Sequence, residues 1–250
     1  MPTLSWSNNI LTLSDPRLKQ AIDIWYLEAF CRDGSASRPW EETVLPHRTE
    51  LLDASGDGRS IRLRSILEDG VIANHEIVAG EDDVSFRVEL HNPASVASRA
   101  HWAQPCVCVA GFCGIEYHLC DERYLPKCFV FIDGQLERMP TNAWNQSAIY
   151  MPGQVWAAPG VDPKDVNPRP LNPKQTSNGL IGCFSADEKL MLATAWSPYQ
   201  ELFQGVRCCI HSDFRIGGLA PGEHKDARGK IYLIDADVGK LLGRYARDFR

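Results

Sequence analysis

From Val84 to Leu90 the apolar residues Val84, Phe86, Val88 and Leu90 alternate with Ser85, Arg87 and Glu89, the period-two pattern of a strand with one buried face. Asn92-Pro93 ends that run, because proline has no N–H to give to a ladder. The next run opens with His101-Trp102 and continues through Gln104, Cys106, Val107, Cys108 and Val109, so an imidazole stands at the mouth of a strand otherwise suited to burial. Similar runs recur at Leu4–Leu13, Ile22–Phe30, three times within residues 58–90, and at Lys127–Ile132, Gly179–Phe184, Lys189–Trp196, Gly205–His211 and Lys230–Ile234. Between them lie turn-forming stretches such as Glu68-Asp-Gly, Asp133-Gly134 and the predicted turn Leu219–Gly229. Periodicity lapses in the proline-rich segment Pro140–Asn178, a loop length that marks a functional or a disordered segment; its tryptophans and asparagines favour an ordered binding wall. Only Asp237–Phe249 has helical spacing, with Val238, Leu241, Leu242, Tyr245 and Phe249 on one stripe. The pattern predicts an all-β chain: one large antiparallel β-sandwich over residues 1–250, a single domain with a short C-terminal helix.

Composition narrows the partners. With 44% hydrophobic and 23% charged residues the chain is an ordinary globular one. A net charge of −6 and no basic stripe with interleaved aromatics argue against nucleic acid. No run reaches the roughly 18 apolar residues that would span a bilayer, and the opening MPTLSWSNNILTLSDP lacks the basic and apolar regions of a signal peptide. A soluble, cytoplasmic protein with a small-molecule partner is expected. The nine cysteines fit reduced core positions in that compartment. Cys113, His118 and Cys120 form a close group that raises zinc as an alternative, although no CxxC pair accompanies it.

Two loops carry further candidates. Cys31–Pro46 leads into His47 and combines Arg38, Trp40 and Glu42, an aromatic face among charged groups of the kind sugar-binding loops use, or a surface loop with one buried tryptophan. In the long loop, Trp144 and Trp156 are candidate sugar-stacking faces, and Arg169 sits between Pro168 and Pro170. Flanking prolines restrict that backbone, so the guanidinium can meet a carboxylate at little entropic cost, which favours an acidic sugar. Of the remaining histidines, His118 follows Glu116-Tyr117 as a weaker candidate, while His75, His91 and His224 are expected at the surface or in turns.

Two segments together resemble the galactose mutarotase-like superfamily, which includes aldose 1-epimerases and the sandwich domains of several polysaccharide lyases. The first is Phe86-Arg-Val-Glu-Leu-His-Asn-Pro followed by Ala100-His-Trp; the second is Cys209-Ile-His-Ser-Asp followed by Leu219-Ala-Pro-Gly-Glu and Gly229-Lys-Ile-Tyr-Leu. The resemblance implies a supersandwich fold over most of the chain and places His101 at the family's acid histidine. His211 occupies the place of its glutamate base, a departure that leaves plain mutarotation in doubt, and no residue matches the family's N-terminal substrate-binding arginine.

Ring opening, epimerisation beside a carbonyl and β-elimination from a uronic acid each need one group to take a proton and another to return it. Histidine serves either role near neutral pH. His101 and His211 are the expected catalytic pair, with Asp213 orienting His211 and Arg38, Trp40, His47, Trp102, His118, Trp156 and Arg169 as candidate contacts to a sugar or oligosaccharide. No organic cofactor is implied. A rival class is a non-catalytic carbohydrate-binding or assembly module; another is a metal-dependent enzyme in which His101, His118 and His211 ligate a divalent ion with a carboxylate.

Overall fold

The computed structural model describes residues 1–118, 121–141, 153–167, 170–205 and 207–250. Arg169, Trp144 and Cys120 therefore lie outside the described residues. Along the chain the strands are β1 (Thr3–Ser7), β2 (Ile10–Ser14), β3 (Ile22–Arg32), β4 (Val44–Leu45), β5 (His47–Ala54), β6 (Ser60–Leu67), β7 (Ile72–Ala79), β8 (Asp83–His91) and β9 (Ala100–Cys108). They continue as β10 (Cys128–Ile132), β11 (Gln135–Arg138), β12 (Val155–Ala157), β13 (Ile181–Phe184), β14 (Leu190–Ser197), β15 (Tyr199–Gly205), β16 (Cys209–Arg215) and β17 (His224–Asp235). The helices are a single turn, α1 (Trp40–Thr43), and α2 (Val238–Asp248).

Two antiparallel sheets form the sandwich. One runs β1-β2-β3-β9-β16-β15-β12, with β4 added to β3; the other runs β11-β10-β13-β14-β17-β8-β7-β6-β5. Their facing sides share one apolar core, to which Ile24, Phe30, Val107, Ile210 and Phe214 contribute from the first sheet and Leu63, Ile77, Val88, Leu192 and Leu233 from the second. Helix α2 closes the outside of the second sheet through the predicted stripe, with Leu241 fully buried and Val238, Leu242, Tyr245 and Phe249 packed around it. Asp237 caps that helix by accepting from the Lys240 N–H at 2.9 Å.

Where boundaries differ from the sequence pattern, the turn chemistry explains them. Leu4–Leu13 is a hairpin, because Asn8 and Asn9 take φ of 52° and 61°, the left-handed pair that a two-residue turn requires. The predicted Gly205–His211 strand is cut by a turn in which Cys208 has φ 51°, so β15 precedes it and β16 follows. Strand β17 starts at His224, inside the predicted turn, because His224 to Arg228 pair with His91 to Arg87 of β8. His75 is interior rather than superficial: its ring nitrogens lie 3.0 Å from the Tyr26 hydroxyl and 3.0 Å from the Ser65 hydroxyl.

Alternation decides which side chains leave the core. On β9, Ala103 and Val107 point inward, which turns Trp102, Gln104 and Cys106 to the outer face. On β16, Ile210 and Phe214 point inward, which turns Cys209, His211 and Asp213 outward. That outer face is covered by two segments that latch to each other. The Gly34 N–H donates to Asp165 at 2.7 Å, and the Ser35 hydroxyl donates to the Val166 carbonyl at 2.8 Å. The second segment is tied to the sheet where the Asn167 N–H donates to both carboxylate oxygens of Glu201, at 2.9 and 3.1 Å.

Candidate active site

Under this cover lies a cleft of about 180 Å³ lined by Glu28, Trp40, Gln104, Cys106, Asn167, Phe203, Gly205, Arg207, Cys209 and His211. Its volume is below the 300–1,000 Å³ typical of pockets for drug-sized ligands, so it suits one small ring rather than a chain of them. Four adjacent strands build the floor. Register places Phe203 opposite His211 and Gly205 opposite Cys209 across β15 and β16. Across β16 and β9 the pairs Ile210↔Val107 and Phe214↔Ala103 bring His211 opposite Cys106. On the far side of β9, an irregularity in β3 between Trp25 and Ala29 brings Glu28 into the wall.

Cys209, His211 and Asp213 follow one another at every second residue of β16, which puts all three on one face. His211 Nδ1 lies 3.2 Å from Asp213 Oδ1, and its Nε2 lies 3.3 Å from Cys209 Sγ. The imidazole stacks on Phe203 with centroids 4.2 Å apart, which fixes the ring plane. Burial opposes charge on the imidazole, yet the flanking Cys209 and Asp213 outweigh it and hold His211 well above the usual histidine range. Burial likewise opposes the Cys209 thiolate, but hydrogen bonding from Cys106 and the His211 charge hold that thiol well below its ordinary value. Asp213 is pushed up to about 6 by burial, against the hydrogen bond from His211. Burial also raises Glu28, against the nearby His211 charge, so its carboxyl keeps a proton to higher pH. The result is a chain of groups sharing protons along the cleft floor.

Gly205 keeps this floor open. A Cβ there would stand 2.4 Å from Cys209 Sγ and 3.0 Å from His211 Nε2, on top of both reactive atoms. Two polar atoms of the lining, Asn167 Oδ1 and Arg207 Nε, are buried without a hydrogen-bond partner among the described residues. The Arg207 guanidinium is stacked 3.8 Å over the Trp25 ring, which holds it at the rim.

The structure brings together only part of the set expected from sequence. His211 and Trp40 line the cleft and Asp213 holds His211. Trp102 is fully buried beside them, packed with Ala29, Cys31 and Trp40. His101 is elsewhere: it falls at a bulge, since Cys31 pairs with Trp102 but Arg32 with Ala100. Its Nδ1 lies 3.8 Å from Asp165 Oδ2, and burial lowers its proton affinity. His211 is level with Cys106, five residues along β9 from His101, roughly 16 Å at the rise of a strand. The two imidazoles do not share the cleft.

The other candidates are also dispersed. Arg38 lies in the covering segment beyond the cleft lining, with Nη1 buried. His47 sits edge-on to Phe30 at 5.0 Å, and Trp156 packs in the core. His118 is exposed, 3.9 Å from Glu116, whereas Cys113 is buried in the core, and Cys120, the third member of the group that suggested zinc, lies outside the described residues. The residues missed by sequence reasoning are Glu28, Gln104, Cys106, Asn167, Phe203, Gly205, Arg207 and Cys209. One signal was available: Cys209-Ile-His-Ser-Asp alternates three ionisable side chains on one strand face.

No family model matches the sequence, and no curated protein matches it. Solved structures do match in fold. The Slr1438 protein from Synechocystis has a TM-score of 0.52 at 10% identity, covering 92% of this chain and 91% of its own. A galactose mutarotase-like protein from Lactobacillus casei has a TM-score of 0.48 at 8% identity, covering 93% and 100%. Another from Clostridium acetobutylicum has a TM-score of 0.46 at 9% identity, covering 93% and 94%. The likeness to the Slr1438 protein is one of fold, the two-sheet antiparallel β-sandwich described above. Among the described residues no helix is long and apolar enough to cross a membrane.

Proposed function

We propose that this chain is a carbohydrate-active enzyme that moves protons on a single sugar unit held in the outer-face cleft. The observation that carries the reading is the Cys209–His211–Asp213 chain, aligned on β16 at the floor of a cleft with the protonatable carboxyl of Glu28 in its wall. Epimerisation or β-elimination needs an acid and a base on one substrate. Glu28 supplies the first and the thiol–imidazole pair the second, with Asp213 holding the ring and accepting from Nδ1. Trp40 offers the apolar face that a sugar ring stacks on. The rim guanidinium of Arg207 suits a carboxylate, so a sugar acid is the preferred ligand. His101, beside Asp165, serves outside the transfer step.

The test follows anomer exchange by NMR on free sugars and unsaturated product by ultraviolet absorbance on uronate substrates. Turnover that falls by the 10²–10⁴ expected for loss of an acid–base group in His211→Ala and Glu28→Gln, with binding retained, supports the assignment. Ligand binding without turnover, unchanged in both variants, would instead identify a non-catalytic binding module. A folded protein that neither binds nor converts any member of a broad sugar panel would overturn the reading.

A further inference from the structure

The Cys209–His211–Asp213 chain explains one sulfur, but two converge on the imidazole. A sulfur from Cys106, a sulfur from Cys209 and a nitrogen of His211 lie within 4.8 Å of one another, all buried. Because Nδ1 is engaged by Asp213, Nε2 is the nitrogen turned to the sulfurs, 3.3 Å from Cys209 Sγ. A tetrahedral zinc ion with Zn–S of about 2.3 Å and Zn–N of about 2.0 Å separates its ligand atoms by about 3.5–3.8 Å, so small side-chain shifts suffice. We infer that Cys106, Cys209 and His211 bind a zinc-like divalent cation whose remaining coordination position faces the cleft.

Three independent features favour a cation over a second thiol placed there by packing alone. Asp213 accepts from the far nitrogen of His211, the arrangement that orients a ligating imidazole and sets its tautomer. Gly205 leaves bare the side of Cys209 Sγ and His211 Nε2 that any Cβ would fill. Two thiolates and one imidazole with an open fourth position form a donor set used by catalytic zinc, and soft sulfur donors select it over magnesium or calcium. The inference rests on the reading of this cleft as the reactive centre and changes one role in it: with the cation bound, Cys209 and His211 are ligands rather than the base, a water held at the open position would take the base role, and Glu28 in the wall keeps the acid role.

Protein purified untagged and without chelators is analysed for metals by elemental mass spectrometry, then stripped and titrated with cobalt(II). The expected results are stoichiometric zinc and, with cobalt, a thiolate-to-metal charge-transfer band in the near ultraviolet beside strong visible d–d bands. Cys106→Ser and Cys209→Ser should abolish the band, Asp213→Asn should weaken affinity about 10–100-fold, and Cys183→Ser, a buried thiol of the core, should leave it unchanged. Wild-type protein that holds no metal and gives no cobalt–thiolate band overturns the inference whether or not the variants fold. So does a band that survives the paired cysteine substitution, or a Cys106–Cys209 disulfide found by non-reducing peptide mapping. Metal binding without sugar turnover would keep the inference and overturn only the proposed function; sugar turnover by protein that takes up no metal would do the reverse.

Discussion

The buried His75 makes stability depend on pH in a way that the structure quantifies. Its ring is enclosed between Tyr26 and Ser65, and the Ser65 hydroxyl continues to Thr49 at 2.8 Å. Burial, with a smaller contribution from the charge of His47, lowers His75 to about 3. In the unfolded chain the same imidazole titrates near 6.5. Below that pH the unfolded state therefore takes up a proton that the native state refuses. Stability is fully present above about pH 6.5 and falls as pH drops toward 3. At pH 5 the loss is about 2 kcal/mol, being 1.36 kcal/mol for each of the 1.5 pH units below 6.5. It is governed by the unfolded chain, since the native ring is still neutral there. His75→Gln keeps a donor and an acceptor but no titration. Urea unfolding at pH 7 and pH 5 should show the wild type losing about 2 kcal/mol more than the variant over that interval. Equal losses in the two proteins would show that His75 is accessible to protons in the native state and would refute the enclosure described.

Two further substitutions test the site's construction. Gly205→Ala puts a methyl group 2.4 Å from Cys209 Sγ; overpacking of this kind costs about 1–3 kcal/mol, and thermal unfolding should register it together with slower reaction of Cys209 toward a small alkylating reagent. Unchanged stability and reactivity would mean that the β15–β16 register is not as described. Glu201→Ala leaves the Asn167 N–H without its carboxylate; a buried donor so stranded costs about 1–3 kcal/mol, and limited proteolysis should cut within residues 158–167 faster than in the wild type, whereas identical digestion would show that this tie does not hold the cover.

The sandwich was legible because period-two alternation is a local property, and most strands carry it whole. The helix was legible for the same reason, since its stripe repeats along the eleven residues of α2 and ends on the capping Phe249. What escaped was set by single backbone conformations, such as Cys208 at φ 51°, a left-handed conformation of which a cysteine gives no sign in the sequence. The site was legible only within one strand. His211 and Asp213 lie two residues apart, so their partnership needed nothing but alternation. Cys106 and Glu28 reach the same cleft through pairings to β16 and β9 that join residues far apart in sequence, and no local pattern states those registers. His101 stands at the mouth of β9 as the pattern predicts, but a bulge and five residues of strand separate it from the cleft, a distance that no local pattern states.

The energetics of the outer face favour chemistry in the cleft. The inner faces of the two sheets are enough to make a core, and the outer face of the first sheet had no need of ionisable groups under its covering segments. It nevertheless buries Glu201, Asp213 and His211 almost completely, beside Gln104 and the half-buried Glu28. Removing such groups from water costs several kcal/mol per ion before pairing recovers it, and well-packed apolar residues would be as stable or more so. The hydrogen bonds from Asn167 to Glu201 and from His211 to Asp213 offset that cost without turning it into a gain. An arrangement that stability does not require, with proton affinities displaced in both directions around an opening fit for one ring, is the pattern expected where reactivity is the purpose.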